Sequence, residues 1–275
     1  VGERLRDRRC VVTVDTLRIE GLRCSFKAQK TGGKEPNTLE LIITNLSEDS
    51  RARMPTRGAQ VTVQAGYAEN VALIFAGDAR SIEHTWEGTE VTTKVLCGDG
   101  ERAFQYARAN QSFGPGARPE EIVRHLVGEL KVNPGNAFAK LKQYSAPFDE
   151  YAQGFTAYGK ASAELDRVMK ALGLTWSVQD GELQVLEPGE ANKAEAVLLS
   201  VDTGLVGTPT FGTSEKKGGP AMLKARSLLQ PRIKPGTRIV MKGAQIKGVF
   251  RTIAATHTGD TAGSDWYTDL EGMPE

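Results

Sequence analysis

The sequence predicts a mainly β protein with an α+β insertion: two related antiparallel β-barrels flanking a small mixed middle region. Three observations predict it. Residues 9–97 alternate apolar and polar side chains between glycine- and proline-bearing connectors. After residue 98 the spacing becomes helical, and from about residue 195 the alternation returns. The expected division is therefore 1–97, 98–194 and 195–275.

The first stretch opens with "CVVTVD" (10–15), a β-branched run, and "NTLELIITNL" (37–46) sets Leu39, Leu41 and Ile43 on one face. "AQVTVQAGY" (59–67) does the same with Val61 and Val63, and "VALIFAGDARSIEHTW" (71–86) carries Leu73 and Phe75. "TEVTTKVLCGDG" (89–100) closes it with Val91, Thr93 and Val95. The connectors "TGGKEPN", "MPTRG" and "EGT" hold the turn-forming residues.

The middle opens on "GDGERAFQYARAN", read as a short helix with Asp99 as its N-cap. "RPEEIVRHLVGEL" (118–130) follows, with Pro119 early and Ile122, Leu126 and Leu130 four apart. The polar stretch 131–153 resists assignment. Leu165, Val168, Met169 and Leu172 then mark an amphipathic helix that Gly173 ends, and "LTWSVQDGELQVL" reads as a hairpin with an Asp-Gly turn.

The two β stretches can be laid over each other. Residues 57–95 and 235–270 each hold an alternating strand (Val61, Val63; Ile239, Met241) and a strand entered through Phe (Phe75; Phe250). Each continues with a histidine (His84; His257), a polar glycine turn and a last strand (Val91, Thr93; Trp266, Thr268). One chain then carries two copies of one unit, and three chains around an axis present six.

Composition removes several function classes. A formal net charge of +1 supplies no overall field towards nucleic acid or an anionic membrane. Cys10, Cys24 and Cys97 are odd in number and lack CxxC spacing, so neither a disulfide framework nor a structural zinc site is expected, and a reducing compartment suits them. No apolar run approaches the ~20 residues of a membrane span, and the first residues carry no apolar core of a secretory signal.

The densest chemistry is "HTGDTAGSDWYTDLEG" (257–272). His257, Asp260, Asp265 and Asp269 are metal-ligand types, yet Asp260 and Asp265 flank "TAG", where Asp and Gly serve turn geometry. The copy around His84 has Glu87 and Glu90 but no matching aspartates, so the turn reading is preferred and no metal site is assigned. There is no GxSxG, and Glu120 and Glu121 sit at a helix start where they complement the dipole, so no catalytic residue is assigned. "GFTAYGK" and "GPGARP" match neither nucleotide fingerprint, so no cofactor is expected. "EKKGG" (215–219) reads as a solvated loop. Trp86, Trp176 and Trp266 read as core or interface anchors. Of the adjacent pair Trp266 and Tyr267, one packs inside and the other is a candidate partner contact. In "SLLQPRIKPGTRIVMKG" (227–243), Pro231 and Pro235 forbid ladder pairing around Ile233, which suggests a rigid extended connector.

This segment, with "GVFRTIAATHTGDTAGSDWYT", resembles the C-terminal barrel of phage tail baseplate hub proteins, the Mu-like and T4-type hubs and their counterparts in contractile injection systems. "LELIITNLSEDSRARMPTRGAQVTVQAGY" and "IFAGDARSIEHTWEGTEVTTKVLCGDGE" are similar to the N-terminal barrel, and "TGLVGTP" (203–209) also fits. The resemblance implies a non-enzymatic homotrimer in a virion tail, assembled in the host cytoplasm. Its implied partners are a hexameric tail tube protein, a trimeric central spike protein and a tape-measure protein, with DNA passing through the lumen without specific binding. Two other readings stand beside it. One is a peptidoglycan-binding or cell-wall-hydrolysing tail protein, from the helix–hairpin format of 158–187. The other is the equivalent component of an injection or secretion system.

Overall fold

The computed structural model describes residues 7–33, 35–68, 70–100, 104, 106–144, 153–212 and 221–275. The chain forms two compact units, one from 1–32, 37–99 and 190–275 and the other from 33–36 and 100–189. The "EKKGG" loop, residues 145–152 of the unassigned stretch, and part of the helix expected after Asp99 lie outside the described residues.

The larger unit begins with β1 (Arg8–Val14), β2 (Leu17–Glu20), β3 (Cys24–Thr31), β4 (Thr38–Thr44), the short helix α1 (Glu48–Ala52), β5 (Gln60–Tyr67), β6 (Asn70–Glu87) and β7 (Glu90–Gly98). The alternation that defines them is visible in burial. Val61, Val63, Leu39, Leu41, Ile43 and Val95 point into one core, while Glu40, Gln60 and Gln64 on the same strands face water. Asp99, expected as an N-cap, is buried and accepts a hydrogen bond from Asn37 Nδ2 at 3.1 Å.

The smaller unit holds β8 (Arg108–Phe113), α2 (Pro119–Leu130), α3 (Ala137–Leu141), β9 (Phe155–Lys160), α4 (Ala161–Ala171), β10 (Thr175–Gln179) and β11 (Glu182–Leu186). The helical stripes read in the sequence form its core, with Ile122 and Leu126 of α2 in one cluster with Leu165 and Met169 of α4. Asp180 and Gly181 both have positive φ, 58° and 81°, which gives the hairpin turn its twist-compatible form. One expectation fails here. Arg108–Asn110 lies in β8, not in a helix, because a partner strand some 50 residues away, β9, pairs with it from Arg108↔Lys160 to Phe113↔Phe155. That partner is invisible to a local window.

The larger unit resumes with β12 (Val197–Ser200), β13 (Leu205–Gly212), β14 (Met222–Leu228), β15 (Arg238–Lys242), β16 (Lys247–Asp260) and β17 (Trp266–Pro274). Pro231 and Pro235 do not hold an extended connector, as the sequence suggested. Ile233 N–H donates to Gln230 O at 3.1 Å and Thr237 N–H to Lys234 O at 2.9 Å, so each proline is the second residue of a tight turn. Gly236, with φ 88°, completes the second turn, and both prolines and Ile233 are buried.

The two β stretches repeat one arrangement. Leaving aside β2, which pairs with β1 and has no counterpart, the first runs β1-β5-β6-β7-β4-β3 across the sheet and the second β12-β15-β16-β17-β14-β13, the same order by position in each half. Each long strand carries a bulge four residues before its histidine, at Arg80 and at Ile253. The first strand differs: β1 is antiparallel to β5, while β12 is parallel to β15. One equivalence read from the sequence shifts. Val61 pairs with Gly77 and Ile239 with Phe250, so the counterpart of Phe250 is Gly77 and not Phe75, two residues along the same face.

The halves meet where β16 pairs with β3, from Ala254↔Thr31 to Asp260↔Ser25, making one 13-stranded sheet. Gly259 lies between Phe26 and Trp266 in the ladder, and the two rings meet edge to face at 5.5 Å. Trp266 and Leu229, from the second half, belong to the core of the first. Among the described residues no backbone ladder closes β1 onto β3. Side chains span that seam instead: the buried Cys10 and Cys24 thiols hydrogen-bond to each other, which pushes Cys10 up and Cys24 down from their ordinary values.

A Cβ on Gly259 would lie 2.3 Å from Phe26 Cζ and 2.8 Å from Trp266 Cε3. Gly259→Ala is therefore expected to destabilise the protein by about 1–3 kcal/mol through overpacking, read by urea denaturation. Unchanged stability would show that the two rings do not fix the joint.

Candidate functional site

The segment 257–272 builds a clasped turn at the joint. Asp260 N–H donates to Asp265 O at 2.8 Å, and Asp260 Oδ1 accepts from Ala262 N–H at 2.9 Å, closing an Asx turn. A Cβ on Gly263 would lie 2.6 Å from the Asp260 carboxylate, so glycine is required there. Three groups from the first half grip the turn. Arg23 makes a forked pair with Asp260 at 2.8 and 3.3 Å, and Arg8 donates to Gly263 O at 2.6 Å and Ser264 O at 3.2 Å. Thr261 and Cys24 exchange two bonds, Cys24 N–H to Thr261 Oγ1 and Thr261 N–H to Cys24 O, each 3.0 Å.

The four metal-ligand types do not converge on one point. Asp260 is held by Arg23, and Asp269 takes a forked pair from Arg226 at 2.7 and 3.0 Å. His257 is fully buried and its Nδ1 shares a hydrogen bond with Thr268 Oγ1 at 2.9 Å, while Asp265 is exposed at the turn. Among the described residues no group of three His, Cys, Asp or Glu side chains is placed to hold a metal ion.

The His–Thr pair recurs in the first half, where His84 Nδ1 and Thr93 Oγ1 share a bond at 3.0 Å. Both pairs sit directly opposite in their ladders, His84↔Thr93 and His257↔Thr268. The environments differ. His84 is half-buried, and burial followed by the nearby Arg51 charge pushes it below its ordinary value. Thr268 Oγ1 also accepts the buried Gln230 N–H at 3.0 Å, which ties the proline turns to β17.

Of the residues singled out as anchors, Trp266 is fully buried, with the Arg8 guanidinium 5.6 Å from its ring. Its neighbour Tyr267 is half-buried on the opposite face, where the Arg226 guanidinium lies 5.5 Å from the ring. Trp86, at the end of β6, is 61% exposed, with Arg51 5.7 Å from its ring. Phe211 on β13 is 51% exposed and is not among the residues that the sequence singles out. A pocket of about 420 Å³ lies on the polar face of the second half, beside Val206 and Gly207 of β13 and the ion pairs Lys224–Glu271 (3.0 Å) and Arg226–Asp269 (2.7 Å). These charged groups are paired with one another across the sheet.

The Arg23 guanidinium holds the Asp260 carboxyl below its ordinary value, aided by the turn N–H groups and opposed by burial. A depressed carboxyl stabilises the fold above the ordinary carboxylate range near about pH 4, and that contribution is lost as the pH falls through the depressed value. Asp260→Asn is thus expected to lower the melting temperature at about pH 7, with the difference from the parent shrinking in acid. A difference independent of pH would remove the ion pair from the account. Thr268→Val leaves the buried Gln230 N–H without its acceptor and should cost about 1–3 kcal/mol in denaturant titrations, with Thr93→Val costing less. Equal costs would contradict the separate role of Thr268.

No protein-family model matches the sequence, and no curated protein matches it by sequence. Solved structures do match in three dimensions. The 43 kDa tail protein of prophage MuSo2 from Shewanella oneidensis matches with a TM-score of 0.68 at 9% identity, over 98% of this chain and 98% of that one. A tail protein from Neisseria meningitidis MC58 matches with a TM-score of 0.66 at 11% identity, over 97% and 96%. The c3393 protein of E. coli is described as a component of the type VI secretion system with structural similarity to T4 bacteriophage tail proteins gp27 and gp5. It matches with a TM-score of 0.61 at 12% identity, over 96% of this chain and 74% of that one. The duplicated sheet and its α+β insertion are therefore the fold of phage tail proteins and of this secretion-system component.

Proposed function

We propose that this chain is a structural baseplate hub protein of a phage tail. Three copies form a ring that joins a hexameric tail tube above to a trimeric central spike below, and the ring lines the channel through which DNA leaves. The observation that carries this reading is the repeated strand order, β1-β5-β6-β7-β4-β3 and β12-β15-β16-β17-β14-β13, within one chain. A trimer of such chains offers six similar surfaces on one side and true threefold symmetry throughout, which is what an adaptor between sixfold and threefold partners needs. The likeness to tail proteins over nearly the whole chain supports the same role.

The hub acts by shape and needs no reaction. Its formal net charge of +1 suits a channel wall that lets DNA slide and does not hold it. A tape-measure protein is a further candidate partner, and the virion tail is the expected location. The equivalent hub of an injection or secretion system is the second reading, favoured by the likeness to the type VI component.

Native mass spectrometry tests the assembly. The expected main species has three times the chain mass of 29.7 kDa. A monomer at all concentrations, together with pelleting on purified peptidoglycan, would overturn the hub reading in favour of a cell-wall-binding tail protein.

A further inference from the structure

The joint inside the chain predicts the joint between chains. Within each half, β3 and β13 occupy the same place, and so do β16 and β6. The internal joint pairs β3 of the first half with residues 254–260 of β16 in the second. Aligned on His84 and His257, the counterpart of 254–260 is 81–87 of β6. Among the described residues, Ser81–Glu87 pairs only with β7, and β13 pairs only with β14. The β3 and 254–260 edges are thus joined to each other, while β13 and the His84–Glu87 end of β6 carry no second ladder among the described residues.

We propose that β13 of one subunit pairs antiparallel with His84–Glu87 of β6 in the next, repeating the His257–Asp260 end of the β3–β16 joint around the ring; this rests on the trimeric hub reading above. The register follows from the ladders. Leu205 pairs with Ser227 as Cys24 pairs with Ile43, and Phe211 pairs with Leu223 as Ala28 pairs with Leu39. Mapped through the internal joint, Phe211 lies opposite His84 and Thr210 opposite Thr85.

The side chains at the two joints are complementary in reverse. Inside the chain, the large Phe26 of β3 faces Gly259 of β16. At the open edges, the residue in Gly259's place is Trp86, and the residues in Phe26's place are the bulge Gly207-Thr208-Pro209 of β13. The large ring is thus on the β6 side at the open edges, where inside the chain it is on the β3 side. Trp86 and Phe211 lie on these two edges, and both are more than half exposed in the single chain, at 61% and 51%. An open edge bearing a large aromatic invites pairing with another chain. The edge is already closed at its start, where Ile82 N–H donates to Thr56 O at 2.8 Å, so β13 must enter from His84 onward.

The test is a cysteine pair, Thr85→Cys with Thr210→Cys, both at exposed positions, in the full chain. Under mild oxidation the double variant should give covalent dimer and closed covalent trimer on non-reducing gels, and each single variant should give neither, because the contact joins unlike edges. Trp86→Ala should weaken trimerisation roughly tenfold or more, as removal of a central aromatic anchor does. A native trimer in which the double variant stays uncrosslinked, or in which a single variant crosslinks, overturns this joint while leaving the trimeric hub intact. Absence of any trimer in the parent protein overturns both.

Discussion

The pairing of β16 with β3 is the constraint on which the rest of the molecule depends. Two halves, each with its own core, become one sheet because a glycine sits between two aromatic rings. Gly259 lets Phe26 and Trp266 meet across the ladder at 5.5 Å. That contact carries Trp266 out of its own half and into the other half's core. Arg8, Arg23 and Cys24 then grip the turn that delivers Trp266, so the turn, the tryptophan and the strand pairing hold one another in place. A buried aromatic pair of this kind adds on the order of 1 kcal/mol beyond area burial, and the hydrogen bonds around it set direction more than strength.

Duplication explains both the likeness and the departures of the two halves. The bulge position, the His–Thr pair and the strand order are kept, and the bulge bends each long strand between its two neighbours. What differs is concentrated at the edges. Gly259 and Trp86 occupy one equivalent place, and Phe26 and the Gly207–Pro209 bulge occupy another. Two copies free to diverge can shape the internal joint and the outer edges differently.

Much of this was legible in the sequence, and the failures have physical causes. Strand alternation, the α2 and α4 stripes and the Asp-Gly hairpin are local patterns, and they emerged where the spacing placed them. The His84–His257 equivalence was readable because both residues sit near glycine turns. The Phe75–Phe250 match was not reliable, since ring type says nothing about register and the loops before the two strands differ. β8 was missed because its partner is distant, and the two prolines misled because an i+1 proline in a turn and a proline in an extended linker look alike in one sequence. The aspartates of the closing segment were read as turn residues, and the arginines that hold Asp260 and Asp269, more than 40 residues away in sequence, could not be read from that segment. Trp266 and Tyr267 were correctly read as facing opposite ways. Which of them faces inward depends on Phe26, which no window around residue 266 contains.

The central claim is that this duplicated sheet is a ring-forming hub element and not a self-contained globule. Electron cryomicroscopy of the purified oligomer tests it most directly. The account predicts a ring of three chains around an open centre, with six barrel-like halves whose sheets continue from one chain to the next. A ring with another number of chains, or three chains whose sheets do not meet, would contradict it.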